Sequence, residues 1–187
     1  MGAHPPTSGR RSRAATIALG VAAAALATAI VAGGYWAVQC PCEGIPGFVL
    51  RGDERPEPVA DWRFANDVPL CQIQIAIGWL PHSVNLNCMA TPAGDLFLSC
   101  SAGANKFWCP RVGVNHPGRL RLGGAVYPVV LNRVTDPGTL DAAWAARLRK
   151  LQNPAVQAVQ PPGPIARPDA RRPDTWWSFQ VRSAASN

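Results

Sequence analysis

One long apolar run separates two unlike parts of the chain. Residues 14–38 contain no charged side chain. As a helix, rising about 1.5 Å per residue, such a run crosses roughly 30 Å of hydrocarbon. Arg10, Arg11 and Arg13 lie just before it, and Tyr35 and Trp36 lie near its far end. Basic residues are retained on the cytoplasmic side, and amphipathic rings prefer the interface. The pattern predicts a cytoplasmic tail over 1–13, a transmembrane anchor over 14–38 and a non-cytoplasmic remainder. A cleaved signal peptide is the competing assignment, with Ala27-Thr28-Ala29 as a small-x-small site. The length of the run favours the anchor.

After residue 38 the pattern changes to short apolar or alternating runs broken by turn residues. Residues 39–60 are rich in Pro, Gly and charge and read as a linker. A domain follows over 61–187. Val68 to Trp79 reads as a strand, with Ile73, Ile75 and Ile77 at period two. Residues 83–91, the turn Pro92-Ala93-Gly94-Asp95 and residues 96–101 read as a hairpin. Residues 119–122, Gly123-Gly124 and 125–134 read as a second, because two glycines suit the positive φ of a tight turn. Asp136 is placed to cap a helix with Pro137 at its first position. Leu140, Trp144, Leu148 and Leu151 share one helical face. Arg147, Arg149 and Lys150 fall where the helix dipole favours cations. Asn153-Pro154 ends the helix, 153–173 reads as a Pro-rich loop, and 176–181 as a closing strand. Five or six strands and one helix predict a mainly β, α+β domain. The economical form is a small antiparallel β-barrel with an accessory helix.

Charge and cysteine content narrow the partners and the compartment. The 187 residues carry a formal net charge of +7. Three of the 18 basic residues precede the apolar run, leaving 15 against 11 acidic ones. That balance, with no basic run interleaved with aromatics, disfavours nucleic acid as a partner. Six cysteines in an exported domain read first as disulfides. Zinc is disfavoured, because the cysteines, His82 and His116 lack the spacing of common zinc modules. Cys40-Pro41-Cys42 is the one close pair. If the first hairpin loop is Ala93-Gly94-Asp95, Cys88 and Cys100 face each other on one side of the sheet. Facing Cβ atoms are then about 4.5–5.5 Å apart, near disulfide distance. The expectation is therefore Cys88–Cys100, with Cys71–Cys109 as the second pair and Cys40 with Cys42 near the membrane.

Familiar catalytic constellations are absent. The sequence has no His-Glu-x-x-His, no Gly-x-Ser-x-Gly and no phosphate-binding Gly-rich loop. The aspartates Asp61, Asp67, Asp95, Asp136 and Asp141 sit at segment ends, where capping is their ordinary use. The common hydrolase classes are disfavoured accordingly.

The order of segments between residues 96 and 137 carries more information. Leu96-Phe97-Leu98-Ser99-Cys100-Ser101 leads through Ala102-Gly103-Ala104-Asn105 to Lys106. A short segment ends at His116-Pro117, and a strand pair ends at Arg133-Val134-Thr135-Asp136-Pro137. This order resembles the split β-barrel superfamily of pyridoxamine-phosphate oxidases and deazaflavin-dependent nitroreductases, over roughly residues 61–151. The resemblance implies a split barrel, FMN or a deazaflavin as cofactor, hydride transfer with a small-molecule substrate, and a homodimer. In such barrels the hydroxyls and lysine after the strand hold the cofactor phosphate, which here means Ser99, Ser101 and Lys106. Arg119 and Arg121 on the next strand are placed to add charge, and Trp108 to stack on the ring. The rival reading is a barrel without cofactor that serves as a structural or binding module of the cell envelope.

Overall fold

The computed structural model describes residues 8–42, 44–159 and 166–184. They fall into two compact units, one ending at Ala37 and one beginning at Val38. The first is helical: it holds all but the last two residues of α1 (Ser8–Gln39). It takes in part of the expected tail, of which residues 1–7 lie outside the described residues. Its stretch Arg13–Gln39 is long and apolar enough to cross a membrane.

The second unit is mainly β. Its strands are β1 (Asp53–Glu54), β2 (Cys71–Ile77), β3 (Leu80–Leu86), β4 (Cys88–Ala90), β5 (Leu96–Cys100), β6 (His116–Leu122), β7 (Ala125–Arg133) and β8 (Trp177–Ser183). The hydrogen-bonded order is β3-β2-β6-β7-β8-β5-β4, and the short β1 lies parallel to β7. All pairings along that path are antiparallel. β3 and β4 are two halves of one segment separated by Asn87 alone. The first half pairs with β2 and the second with β5. One segment thus forms both ends of the sheet, which curls back into an antiparallel half-barrel.

The polar/apolar pattern explains which way each strand faces. In β2, Cys71, Ile73 and Ile75 are buried while Gln72 and Gln74 are less so, the period of two that a half-buried strand requires. Gly123 and Gly124 turn β6 into β7 with φ of 55° and 95°, values that glycine adopts without steric cost. β5 is buried along its whole length because both its faces are covered. Leu96, Leu98 and Cys100 join the main core with Ile73, Leu120, Leu131 and Phe179. Phe97 joins a second cluster with Met89, Trp176 and two alanines of the helix α2 (Pro137–Leu151).

α2 starts as expected. The Asp136 carboxylate accepts from the Thr139 backbone N–H and hydroxyl, both at 2.8 Å. Its expected face is packed, with Leu148 and Leu151 buried, and the packing extends to two alanines. Ala143 and Ala146 are its buried members in that second cluster, with Leu140 and Trp144 packed alongside. Lys150 is also buried, at 5 % exposure. Its ammonium donates to Ala65 O at 2.7 Å and Cys88 O at 2.6 Å. A four-residue helix α3 (Pro154–Gln157), capped by Asn153, follows in what reads from sequence as loop.

Three expectations are corrected. Residues 40–54 do not hang free as a linker. Gly47 bridges Ser83 of β3, Leu50 is 1 % exposed, and β1 pairs with β7. Trp79 is not in a strand but in the turn after Gly78, which brings β3 in at Leu80. The first long hairpin is also shifted. Thr91 N–H donates to Asp95 O, and Gly94 N–H to Thr91 O, so the loop is Pro92-Ala93-Gly94. Cys88 therefore faces Leu98, not Cys100. The disulfides follow that register: Cys71–Cys88, Cys100–Cys109 and Cys40–Cys42, with Cα separations of 6.0, 6.7 and 4.5 Å. The expected Cys88–Cys100 and Cys71–Cys109 bonds do not form.

Candidate ligand-binding cleft

Where the 80–90 segment passes from one sheet edge to the other, a cleft of about 820 Å³ opens. That size is within the ordinary range for small-molecule and cofactor sites, roughly 300–1,000 Å³. One wall is the end of β5 and the loop after it, with Ser99, Ser101, Lys106, Phe107 and Trp108. Across from these in sequence, His82, Asn85 and Asn87 come from the bent segment, Cys42 from the domain's first turn, and Arg147 from α2.

Alternation along β5 sets the wall. Leu98 and Cys100 point into the main core, so Ser99 faces the helix side. It is buried there and receives two hydrogen bonds. Trp176 Nε1 donates to Ser99 Oγ at 2.7 Å and Arg147 Nε donates to it at 3.1 Å. With both acceptor positions used, the Ser99 hydroxyl keeps its proton to donate.

Arg147 is the unusual member. Its guanidinium is held against Ser99 on one side and lies 5.4 Å from the Trp144 ring on another. Its Nη1 is buried and has no hydrogen-bond partner among the described residues. Burial pushes its pKa below the usual arginine value. A buried, unpaired donor of this kind costs free energy, about 1–3 kcal/mol or more for a charged group. An anion in the cleft would remove that cost. Lys106 contributes a solvent-exposed cation to the same wall. His82 is lowered by burial and by the nearby Arg111, which favours the neutral imidazole. Its ring lies 5.1 Å from Phe107, edge-on.

Four of the sequence-designated residues meet in this cleft: Ser99, Ser101, Lys106 and Trp108. Trp108 is 6 % exposed and packs 5.2 Å from Phe179, so much of its ring serves the core. Arg119 and Arg121 are not in the cleft. They fasten residues 50–54 to the sheet. Arg119 donates to Leu50 O at 2.7 Å, to Gln74 at 3.3 Å and pairs with Glu54. Arg121 donates to Arg51 O at 2.8 Å and to the Gln72 side chain. Their donors are committed to partners far away in sequence, which no local pattern reveals.

Arg147, His82 and Asn85 do not stand out in the sequence. For Arg147 a signal exists. Ala143, Arg147 and Lys150 recur at helical spacing on the side that carries Ala146, so the alanine stripe extends the packed side beyond the leucine face. A second cleft of about 660 Å³ lies between α2 and residues 168–174. There Arg172 pairs with Asp141 at 3.0 Å and Arg167 with Asp169 at 2.8 Å. Its lining sets Asp141, Asp169 and Asp174 against Arg149, Arg171 and Arg172, so it offers a weaker anion site. Among the described residues no cluster of His, Cys, Asp or Glu suits a metal ion.

No protein-family model and no curated protein matches the chain. Among solved structures it is similar to one described as the FAD binding protein from Mycobacterium smegmatis, at 13 % identity and a TM-score of 0.36. The match covers 70 % of this chain and 93 % of the other. At that score the likeness bears on neither fold nor ligand.

Proposed function

We propose that the cleft binds a phosphate-bearing cofactor of flavin type, FMN or a deazaflavin, in a domain that α1 holds at a membrane on its non-cytoplasmic side. One observation carries the ligand reading: the buried, unpartnered Arg147 Nη1 in a cleft that also presents Ser99, Ser101 and Lys106. A phosphate satisfies all four groups through charge-assisted hydrogen bonds, with arginine supplying directed donors and lysine a point charge. Apolar lining from Val84, Leu86, Phe107 and Trp108 suits a flat ring system. When bound, the cofactor supplies hydride transfer; the chain's residues bind it, orient it and exclude water. A split-barrel oxidoreductase acting on a small molecule, paired as a homodimer, is the finer form of this reading.

The localisation reading rests on two features. α1 has its arginines before an uncharged run, and the three disulfides fit an oxidising compartment. A reporter active only in the cytoplasm, fused after Asn187, is expected to be silent.

The binding test is a titration of the full-length protein in detergent with FMN and with a reduced deazaflavin. Saturable binding of one of them, displaced by inorganic phosphate, is expected. No binding of either to folded protein favours the cofactor-free envelope module.

A further inference from the structure

The three disulfides differ in what they close and where they lie. Cys71–Cys88 and Cys100–Cys109 join residues 17 and 9 apart in sequence, and all four cysteines are at most 2 % exposed. Cys40–Cys42 joins residues only 2 apart, and Cys42 is half-buried in the wall of the cleft. Closing so short a loop takes little entropy from the unfolded chain, so this bond adds least to the fold.

The turn that carries it is built to stay in place without the bond. Asn85 Nδ2 donates to Cys42 O at 2.8 Å and to Pro41 O at 3.3 Å. Gln72 Nε2 donates to Pro41 O at 3.3 Å and to Asn85 Oδ1 at 2.8 Å, locking the two amides together. Cys42 and Ile45 exchange backbone hydrogen bonds. Gly47 is packed so closely that a Cβ there would stand 2.3 Å from the Cys40 carbonyl carbon. Two side-chain amides, a backbone bridge and an obligatory glycine thus hold the pair so that Cys42 lines a cleft that also carries cations. Disulfides that are accessible and contribute little to the fold are the ones that exchange, and Cys42 is the more accessible sulfur of this pair.

We infer that Cys40–Cys42 is a redox-exchangeable disulfide of the cleft, and that its partner is a low-molecular-weight anionic thiol. The thiolate of that molecule attacks Cys42 Sγ. The Sγ–Sγ bond breaks, its electron pair leaves on Cys40 Sγ, and Cys40 takes a proton from solvent. A second thiolate then attacks the external sulfur of the mixed disulfide, and Cys42 leaves as a thiolate and is protonated. Two thiols are oxidised to one disulfide, and the protein gains two electrons and two protons. Lys106 and Arg147 favour an anionic thiol over a neutral one, both by steering it and by stabilising its thiolate. That preference rests on the cleft's being an anion site; the exchange itself does not.

The test uses the full-length protein in detergent with glutathione as the anionic thiol and 2-mercaptoethanol as the neutral one. Free thiols are alkylated and mapped by peptide after equilibration in graded redox buffers. Cys40 and Cys42 are expected to label at a thiol concentration at least tenfold below that needed for the other four cysteines, with the far-ultraviolet dichroism unchanged. Reduction of all three bonds together, or of Cys40–Cys42 last, overturns the proposal. With Cys40→Ser, Cys42 is expected to form a one-to-one mixed disulfide with oxidised glutathione. With Cys42→Ser, Cys40, which is 6 % exposed, is expected not to. The reverse result overturns the assignment of the attacked sulfur. Raising salt is expected to slow glutathione several-fold and leave 2-mercaptoethanol unaffected. Equal salt response of the two thiols overturns the anionic partner and counts against the cleft as an anion site, while the mapping still decides the exchange.

Discussion

Arg119 and Arg121 on β6, and Lys106 and Arg147 at the cleft, are the same chemistry put to opposite uses. The β6 pair spends its donors on Leu50 O, Arg51 O, Gln72, Gln74 and Glu54. The cleft pair keeps donors in reserve: Arg147 gives Nε to Ser99 but has a buried Nη1 without a partner among the described residues, and Lys106 stays exposed. Cations near a suitable strand are therefore poor evidence for an anion site. What separates a structural arginine from a binding one is whether its hydrogen bonds are already complete. Lys150 extends the comparison. It is buried like Arg147 yet satisfied like Arg119, by the carbonyls of Ala65 and Cys88.

These contrasts can be broken or sharpened by experiment, and the largest effect is expected at Lys150. Burial pulls its pKa down to about 8, against its ordinary 10.5, although Asp67 pulls the other way. Between these values the unfolded chain binds more protons than the folded one, so stability rises as pH climbs from about 8 to 10.5. The rise amounts to about 3 kcal/mol. Urea unfolding at pH 7.5 and pH 10 is expected to show it in the wild type and not in Lys150→Met. A flat profile in both would mean that the two carbonyls hold the ammonium charged throughout.

Arg119→Met comes next. Losing a charged donor to Leu50 O, Gln74 and Glu54 is expected to cost about 2 kcal/mol. That lowers the melting temperature by roughly 4–8 °C for a domain of this size. FMN affinity is expected to stay as it was, and a loss of binding with unchanged stability would reverse the two roles. Arg147→Met is expected to do the opposite. FMN or phosphate affinity falls about tenfold, roughly 1.4 kcal/mol, while thermal stability holds or rises as an unpaired buried donor disappears. The smallest effect belongs to Lys106→Met. An exposed charge contributes about 0.5 kcal/mol, so affinity falls two- to threefold at low salt, and the difference vanishes as salt screens it.

Local chemistry was legible in the sequence wherever neighbours decide the outcome. The Gly123-Gly124 turn, the Asp136 cap before Pro137 and the alternation of Ile73 and Ile75 are such cases. So is the grouping of Ser99, Ser101, Lys106 and Trp108, because one strand and the loop after it bring them to one wall. The failures that bear on the site involve partners distant in sequence or a loop moved by one residue. Moving the loop from Ala93-Gly94-Asp95 to Pro92-Ala93-Gly94 shifts each pairing by two residues and sends Cys88 to Cys71. Gly94 takes the positive φ, 93°, at the last loop position, and Thr91 Oγ1 accepts from Asp95 N–H at 3.2 Å. Only the closed turn reveals that choice. Arg119 reaches Leu50 across 69 residues, and Lys150 reaches Ala65 across 85. Neither contact has a local signature: neighbours suggest only the helix dipole for Lys150, and for Arg119 a place beside a cofactor phosphate, whose proposed cleft it does not line.

The bent segment over 80–90 has a consequence for crowding. A sheet end normally presents free N–H and C=O groups, which another copy of the chain can pair with. Here both ends belong to that one segment, and outward groups on each half are met from within. Ser83 exchanges hydrogen bonds with Gly47 at 2.8 and 3.1 Å. The Asn66 side-chain amide imitates a neighbouring strand, accepting from Ala90 N–H at 2.8 Å and donating to Ala90 O at 3.1 Å. Lys150 caps Cys88 O. Edge-to-edge pairing between copies is therefore hindered at Ser83 and over Cys88–Ala90, and Asn66→Ala is the change expected to reopen the second of these.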